Sequence, residues 1–410
     1  MHFQSLEKNL DKIGDSVVIN NVKVMTSQGW TQPTSLWVHG GIIGAIHLTK
    51  HNDVDYSSSQ IIDGTGCYIV PGIIDLHGDA FERDITPRAG TQFPLDLALA
   101  ANDASLIANG ITTFYYSITD GFEPGPRSRD TVRHLLIALE KLMPRFSCQA
   151  RVHIRHETVN TEKHDELLEW LRQGRIHLLS LNDHLPLMDN DKAMQRYLTG
   201  MRRRVSMSDS ETIEFLQILQ GNRALGETQL RELAALAQQQ GVALASHDDA
   251  TLDDVAKSIS LGIAIAEFPM CQHTARASKI GGAFVLMGAP NLVRGGSHVG
   301  AISVNEAIDQ KVVDVLCSDY HYPSLFHAPF MISSMNKLPF SEAWKLISEN
   351  PARAAGLGST KGKIAPGYDA DFLILNELDG SPLSLQSTWV KGKMVYARKM
   401  PTSGSNPITV

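Results

Sequence analysis

Eight short apolar runs recur between positions 68 and 317, at 68–76, 111–117, 150–157, 176–181, 242–246, 263–268, 284–287 and 312–317, with segments of helical length between them. Strands that alternate with helices pair in parallel, and eight of them bury one another by curling into a ring with the helices outside. The expected class is therefore α/β, a (β/α)8 TIM barrel, in which the carboxyl ends of all the strands open onto one mouth.

The first run leads into DLHGD, where Gly78 allows close approach and alternation along an extended chain sends His77 and Asp79 the same way. Glu157 closes the third run, His184 follows the fourth, His247 follows the fifth with Asp248 and Asp249 behind it, and Asp319 follows the eighth. Singly, each has an ordinary explanation: a buried histidine, a turn aspartate, a helix cap. Gathered at one mouth, His77, Asp79, Glu157, His184, His247 and Asp319 form a nitrogen and oxygen donor set able to hold two divalent metal ions. In that arrangement Glu157 bridges the ions, the imidazoles fix their positions, and Asp319 also handles the proton of an acidified water. Zinc, manganese and iron all accept such mixed donors.

Outside the barrel, short β-type runs broken by Gly, Asn and Asp fill 16–70, and the same texture returns at 370–375 and 388–396. The expectation is a small β-sandwich domain, antiparallel and built from both chain ends, 1–70 and 360–410, beside a barrel at 71–359. The polar insertion 185–225, after the fourth run, reads as an active-site cover or as a subunit contact in a homo-oligomer.

Composition narrows the partners. With 410 residues and 43% hydrophobic content, the chain can bury a large core. A formal net charge of -7 offers no reason to expect nucleic acid or an acidic membrane surface, and the compact basic tract at 201–204 reads as a solvated face. No apolar run nears the ~20 residues that span a bilayer, and the first residues lack the pattern of a secretory signal, so a cytoplasmic location is expected. Cys67, Cys148, Cys271 and Cys317 are too scattered for a zinc ribbon or a disulfide framework and read as reduced packing residues.

The segment VPGIIDLHGD resembles the first barrel strand of the amidohydrolase superfamily, and the flanking β segments resemble its two-part sandwich domain. Within that superfamily, DLHGD at 75–79, TPR at 86–88, ALASHDDAT at 243–251, AEFP at 266–269, VLMGAPNLVRGGSHVG at 285–300 and SDYHYPSL at 318–325 are similar to the diphosphatase family of the carbon-phosphorus lyase pathway. The resemblance implies hydrolysis of alpha-D-ribose 1-methylphosphonate 5-triphosphate, a small phosphorylated substrate, to the 5-phosphate and pyrophosphate. The first-strand pair is His77-x-Asp79 where the wider superfamily commonly has two histidines, in keeping with the diphosphatase group, while Ala89 stands where that group leads one to expect proline. The strand count sets His184 and His247 one strand earlier than is usual, so either a strand escapes the count or the ligand layout differs. Glu267 is accordingly a reserve metal or substrate residue.

A triphosphate needs fixed donors. Asn291 leads into Arg294, Gly295, Gly296, Ser297 and His298, where small residues let backbone N–H groups approach an anion and Arg294 can bond two oxygens; a glycine-rich turn with a solvated arginine fits the same letters. Arg83 and Arg88, close in sequence to the first two ligands, suit phosphate oxygens or surface ion pairs. Two further readings stand beside the diphosphatase: hydrolysis of an amide, lactone or imine on a phosphorylated small molecule, since the same nucleophile attacks carbon, and a non-catalytic metal- or phosphate-binding barrel.

Overall fold

The computed structural model describes residues 16–47, 59–88, 90–186, 188–205, 207–296, 300–377 and 383–398. Eight parallel strands follow one another around one sheet in chain order: Ile73–Gly78 (β1), Ile111–Asp120 (β2), Gln149–Glu157 (β3), Leu178–Asn182 (β4), Ala243–His247 (β5), Ile265–Glu267 (β6), Phe284–Gly288 (β7) and Val315–Cys317 (β8). A parallel bridge between Gly78 and Asp319 joins the last strand to the first, so the sheet closes into the expected barrel. Every residue of β1, β2, β4, β6 and β8 is buried, the polar Asp75, His77, Ser117, Asp120, Ser180, Asn182 and Glu267 included, as strands covered on both faces require. Ile74, Leu76, Tyr115, Leu178, Ile265 and Leu286 pack together inside the ring, while Ile73, Phe114, Tyr116 and Val285 join the larger cluster under the outer helices.

The 68–76 run is two strands rather than one. Cys67–Pro71 belongs to an outer sheet and β1 to the barrel, and the chain crosses between them at Gly72. Proline offers no N–H to extend a ladder, and a Cβ at position 72 would come within 2.3 Å of Thr112 Oγ1, so the crossing needs both residues.

The outer sheet interleaves the chain ends in the order Lys393–Ala397, Ser384–Val390, Phe372–Asn376, Cys67–Pro71, Ser16–Thr26, Thr34–His39, Ile42–Ile46. Phe372 and Trp389 stack in its core, with ring centroids 5.2 Å apart. The sheet is mixed, not wholly antiparallel, because Ser16–Thr26 runs parallel to both Gln60–Asp63 and Cys67–Pro71. An alternating pattern is the same for either direction of pairing, so only the fold decides it. A buried ion group ties sheet to barrel: Lys361 Nζ lies 2.6 Å from carboxylate oxygens of both Asp369 and Asp371, and Gln149 at the start of β3 donates to Asp371 at 2.7 Å.

After β4 the insertion forms helices Asp191–Arg204 (α1) and Asp209–Gly221 (α2). Asn190 caps α1 through the Ala193 N–H, and Ser208 with Glu211 forms a reciprocal capping box on α2. Val159, Leu185, Met194, Leu216 and Leu219 make a separate apolar cluster that seats α1 over the ends of β2, β3 and β4. Of the basic tract, Arg202 lies on the surface and bonds Asp209 through Nε at 2.9 Å. All four cysteines are unpaired, and among the described residues no helix is long and apolar enough to cross a membrane.

Candidate metal and active site

Just past β5, β6 and β8, the chain takes the left-handed conformation at Asp248 (φ 58°), Phe268 (φ 53°) and Asp319 (φ 54°). This conformation costs a residue with a Cβ roughly 1–2 kcal/mol. Each turn aims a backbone donor at the next strand round: Asp248 N–H donates to Glu267 O, Phe268 N–H to Leu286 O and Asp319 N–H to His77 O, all at 2.9 Å. The strain is thus offset by hydrogen bonds that hold the side chains at these strand ends in place.

Glu267, fully buried on β6, lies at the centre. Its Oε1 is 2.9 Å from His77 Nδ1, and its Oε2 is 3.1 Å from both His247 Nδ1 and the Ser180 hydroxyl, which donates to it. The Phe268 ring stands edge-on to both imidazoles, at 4.9 and 5.2 Å between centroids. Beyond His247, the His184 ring meets it edge-on at 5.1 Å. Glu157 grips His184 twice, with Oε1 2.5 Å from Nδ1 and Oε2 accepting the His184 N–H at 3.0 Å. Among the described residues, two groups have ligand atoms within 4.8 Å of one another: His77, His247 and Glu267, and then His184, His247 and Asp248.

Asp79 and Asp319 face the same mouth, although the β1 register shifts between Asp75 and Gly78 and Asp79 lies beyond the strand, so simple alternation does not describe the pair. Asp79 N–H donates to Asp319 O at 3.0 Å, and Asp79 Oδ2 lies 3.6 Å from an Arg155 guanidinium nitrogen. Burial, with repulsion from Asp79 next, pushes the Asp319 carboxyl up to about 7. Burial and the Arg155 charge hold His77 and His247 well below the usual histidine range, in the neutral form that ligation requires. His184 is the exception: desolvation opposes it, but Glu157 and then Asp248 push it up to about 10.

Three participants escape a reading by strand ends alone. Arg155 reaches past Glu157 to Asp79 and to His247 Nε2, at 3.2 Å, and its buried Nε has no partner. His153, wholly buried, sets Nε2 3.8 Å from Glu267 Oε1, again without a hydrogen bond. Alternation in HIRHE carries the signal, since positions 153, 155 and 157 face inward together. Asp248, next to a proposed ligand, is the third.

The count of eight strands is complete. His184 follows β4 and His247 ends β5, where the strand count sets them, and Glu267 on β6 stands among the residues able to hold an ion. Arg83 and Arg294 converge on one residue: Arg83 donates to Tyr320 O at 2.5 Å and Arg294 to the Tyr320 hydroxyl at 3.0 Å. Arg88 is exposed in a backbone bridge with Thr91. Asn291 Oδ1 accepts the Val304 N–H at 3.1 Å and so steadies the following helix. Ser297, His298 and Ala89 lie outside the described residues.

The donors fit divalent cations: neutral imidazoles stand beside carboxyls that destabilise one another when ionised, and the orphaned His153 Nε2 looks onto the same carboxylate. A closed parallel barrel with such donors at the carboxyl ends of its strands is the architecture of the hydrolytic barrel enzymes. The amidohydrolase family profile matches residues 68–395, and the chain belongs to that family. It is 32% identical over 386 residues, 93% of its length and 100% of the relative's, to the alpha-D-ribose 1-methylphosphonate 5-triphosphate diphosphatase of Escherichia coli K12. To the adenine deaminase of Bacillus subtilis 168 it is 25% identical, over 92% of this chain and 57% of that one. Among solved structures, the beta-aspartyl dipeptidase of Fervidobacterium islandicum AW-1 shares the fold with a TM-score of 0.61 at 15% identity, covering 95% of this chain and 99% of the other.

Proposed function

We propose that this amidohydrolase-family protein is a metal-dependent diphosphatase of phosphonate catabolism, cleaving alpha-D-ribose 1-methylphosphonate 5-triphosphate to the 5-phosphate and pyrophosphate. The observation that carries the substrate is the likeness to the E. coli diphosphatase along that enzyme's whole length. His77, His247 and Glu267, or His184, His247 and Asp248, would hold a divalent ion, while Asp79, Glu157 and Asp319 would supply the further carboxylates. When bound, such ions supply Lewis acidity toward phosphoryl oxygens and acidify water near neutral pH. Glu157 orients His184 by occupying its Nδ1, which leaves Nε2 to face the mouth. Asp319 would handle the proton at its carboxylate, which a cation held by the neighbouring donors would favour in the ionised, accepting form. Arg83 and Arg294, joined through Tyr320, give phosphate oxygens a cationic edge beside β8, with Arg88, Asn291, Ser297 and His298 as its proposed companions.

The test is incubation of metal-loaded protein with the triphosphate, followed by phosphorus NMR. Pyrophosphate and the 5-phosphate are expected in equal amounts. Turnover of a phosphorylated amide or lactone without pyrophosphate would move the activity to carbon, and bound metal with no turnover on either panel would make the barrel a binding protein.

A further inference from the structure

A cavity of about 500 Å³ opens between α1 and the ends of β2, β3 and β4. Its floor is Arg155, Glu157 and His184, so it is continuous with the metal donors, and Phe122, Arg127 and Pro186 form its sides. Arg196 and Tyr197 of α1 close the top. Three guanidinium groups around one space repel one another, and two have partners: Arg127 pairs with Glu82 at 2.8 Å and Arg155 lies 3.6 Å from Asp79. Arg196 is exposed and has no hydrogen bond or ion pair among the described residues, while the buried Nε of Arg155 is unpartnered. Glu123 also lines the cavity, but its Oε1 accepts the Tyr197 hydroxyl at 2.9 Å, which fastens α1 to the loop after β2.

We infer that this cavity binds the sugar-phosphonate end of the substrate, with Arg196 as the residue that selects for the phosphonate. The inference rests on the diphosphatase reading, in which anionic groups lie on both sides of the bond that breaks. The metal donors take that bond, so the two ends must extend to different parts of the mouth. The edge formed by Arg83, Tyr320 and Arg294 is open to solvent, which suits a pyrophosphate that has to depart. The roofed cavity is of small-molecule size, and Phe122, Pro186 and Tyr197 offer apolar faces for a sugar ring. Guanidinium groups around those faces fit the oxygens of a phosphonate ester. Because α1 belongs to the insertion, the specificity for this end is carried by a helix outside the barrel itself.

Calorimetric titration of the metal-loaded full chain with ribose 1-methylphosphonate 5-phosphate, ribose 5-phosphate and inorganic pyrophosphate tests the assignment. Arg196→Ala should weaken the sugar phosphonate by tenfold or more, with Arg196→Lys recovering part of the loss and ribose 5-phosphate and pyrophosphate each shifting by less than threefold. Equal weakening of all three ligands, weakening of pyrophosphate alone, or wild-type affinity for the sugar phosphonate in Arg196→Ala would overturn it, as would absence of sugar-phosphonate binding to the wild type. Pyrophosphate release is read separately by NMR. Its failure with the expected binding pattern intact removes the reaction and leaves the pocket.

Discussion

Glu267 serves two imidazoles at once and is itself buried, so its replacement leaves polar ring nitrogens short of a partner. Glu267→Gln should therefore lower bound metal by at least one equivalent. Glu157→Gln removes the second grip, on His184, and should release metal less completely; elemental analysis of the purified variants distinguishes the two. Retention of full metal in both would remove these carboxylates from the ligand set. Asp319 has a different task. Asp319→Asn keeps the shape and the backbone bond to His77 but cannot accept a proton, so kcat should fall by roughly a hundredfold or more while the circular dichroism spectrum is kept. Near-normal turnover in the metal-loaded variant would exclude the proton-handling role.

Strands and helices here are joined by backbone positions with little tolerance. At Gly72 the chain leaves the outer sheet for β1, and Thr112 occupies the space a Cβ would need. Gly72→Ala should cost about 1–3 kcal/mol by overpacking and lower the melting temperature by several degrees. Gly221, which ends α2 with open space around it and no left-handed φ, is the contrast: Gly221→Ala should be neutral or stabilise by up to about 1 kcal/mol. Thermal unfolding of the two variants side by side checks both, and equal effects would show that the crossing at Gly72 is less crowded than its distances indicate. The division of 68–76 into two strands follows from the same crowding. Pro71-Gly72 interrupts the apolar run in the sequence, but an interruption can mark a bulge, a kink or a change of sheet, and only the neighbours on either side decide which.

Across the whole barrel, burial raises the cost of ionising two of its carboxyls. Burial pushes Asp75 as well as Asp319 up to about 7, above the ~3.9 of an unfolded aspartate. Below pH 4 both states hold these protons and the carboxyls cost nothing. As the pH rises from 4 towards 7 the unfolded chain ionises first, so the metal-free fold loses stability, and the loss levels off above 7. Divalent ions held at the mouth would favour the ionised carboxylates. The melting temperatures of chelated and metal-loaded protein should therefore diverge as the pH is raised from 5 to 8, and a gap that stays constant would uncouple these carboxyls from the metal.

Short-range order was legible from the letters alone. Strand-like runs alternating with helical segments define the α/β barrel, and the candidate donors His77, Glu157, His184, His247 and Asp319 stand where those runs stop. Inward alternation along HIRHE also made Arg155 and His153 findable. What the letters could not express is which side chains meet. His77 and Glu267 are 190 positions apart and His247 lies 20 from Glu267, yet both imidazoles share the Glu267 carboxylate. Likewise α1 reads as a polar insertion until its apolar face is seen on Leu185 and Leu216, which turns Arg196 towards the mouth. Periodicity is a property of neighbours along the chain, whereas a site depends on closing the ring. The ring closes where Asp319 N–H bonds His77 O, and of the left-handed turns at these strand ends the one at Phe268 is not announced by its residue type.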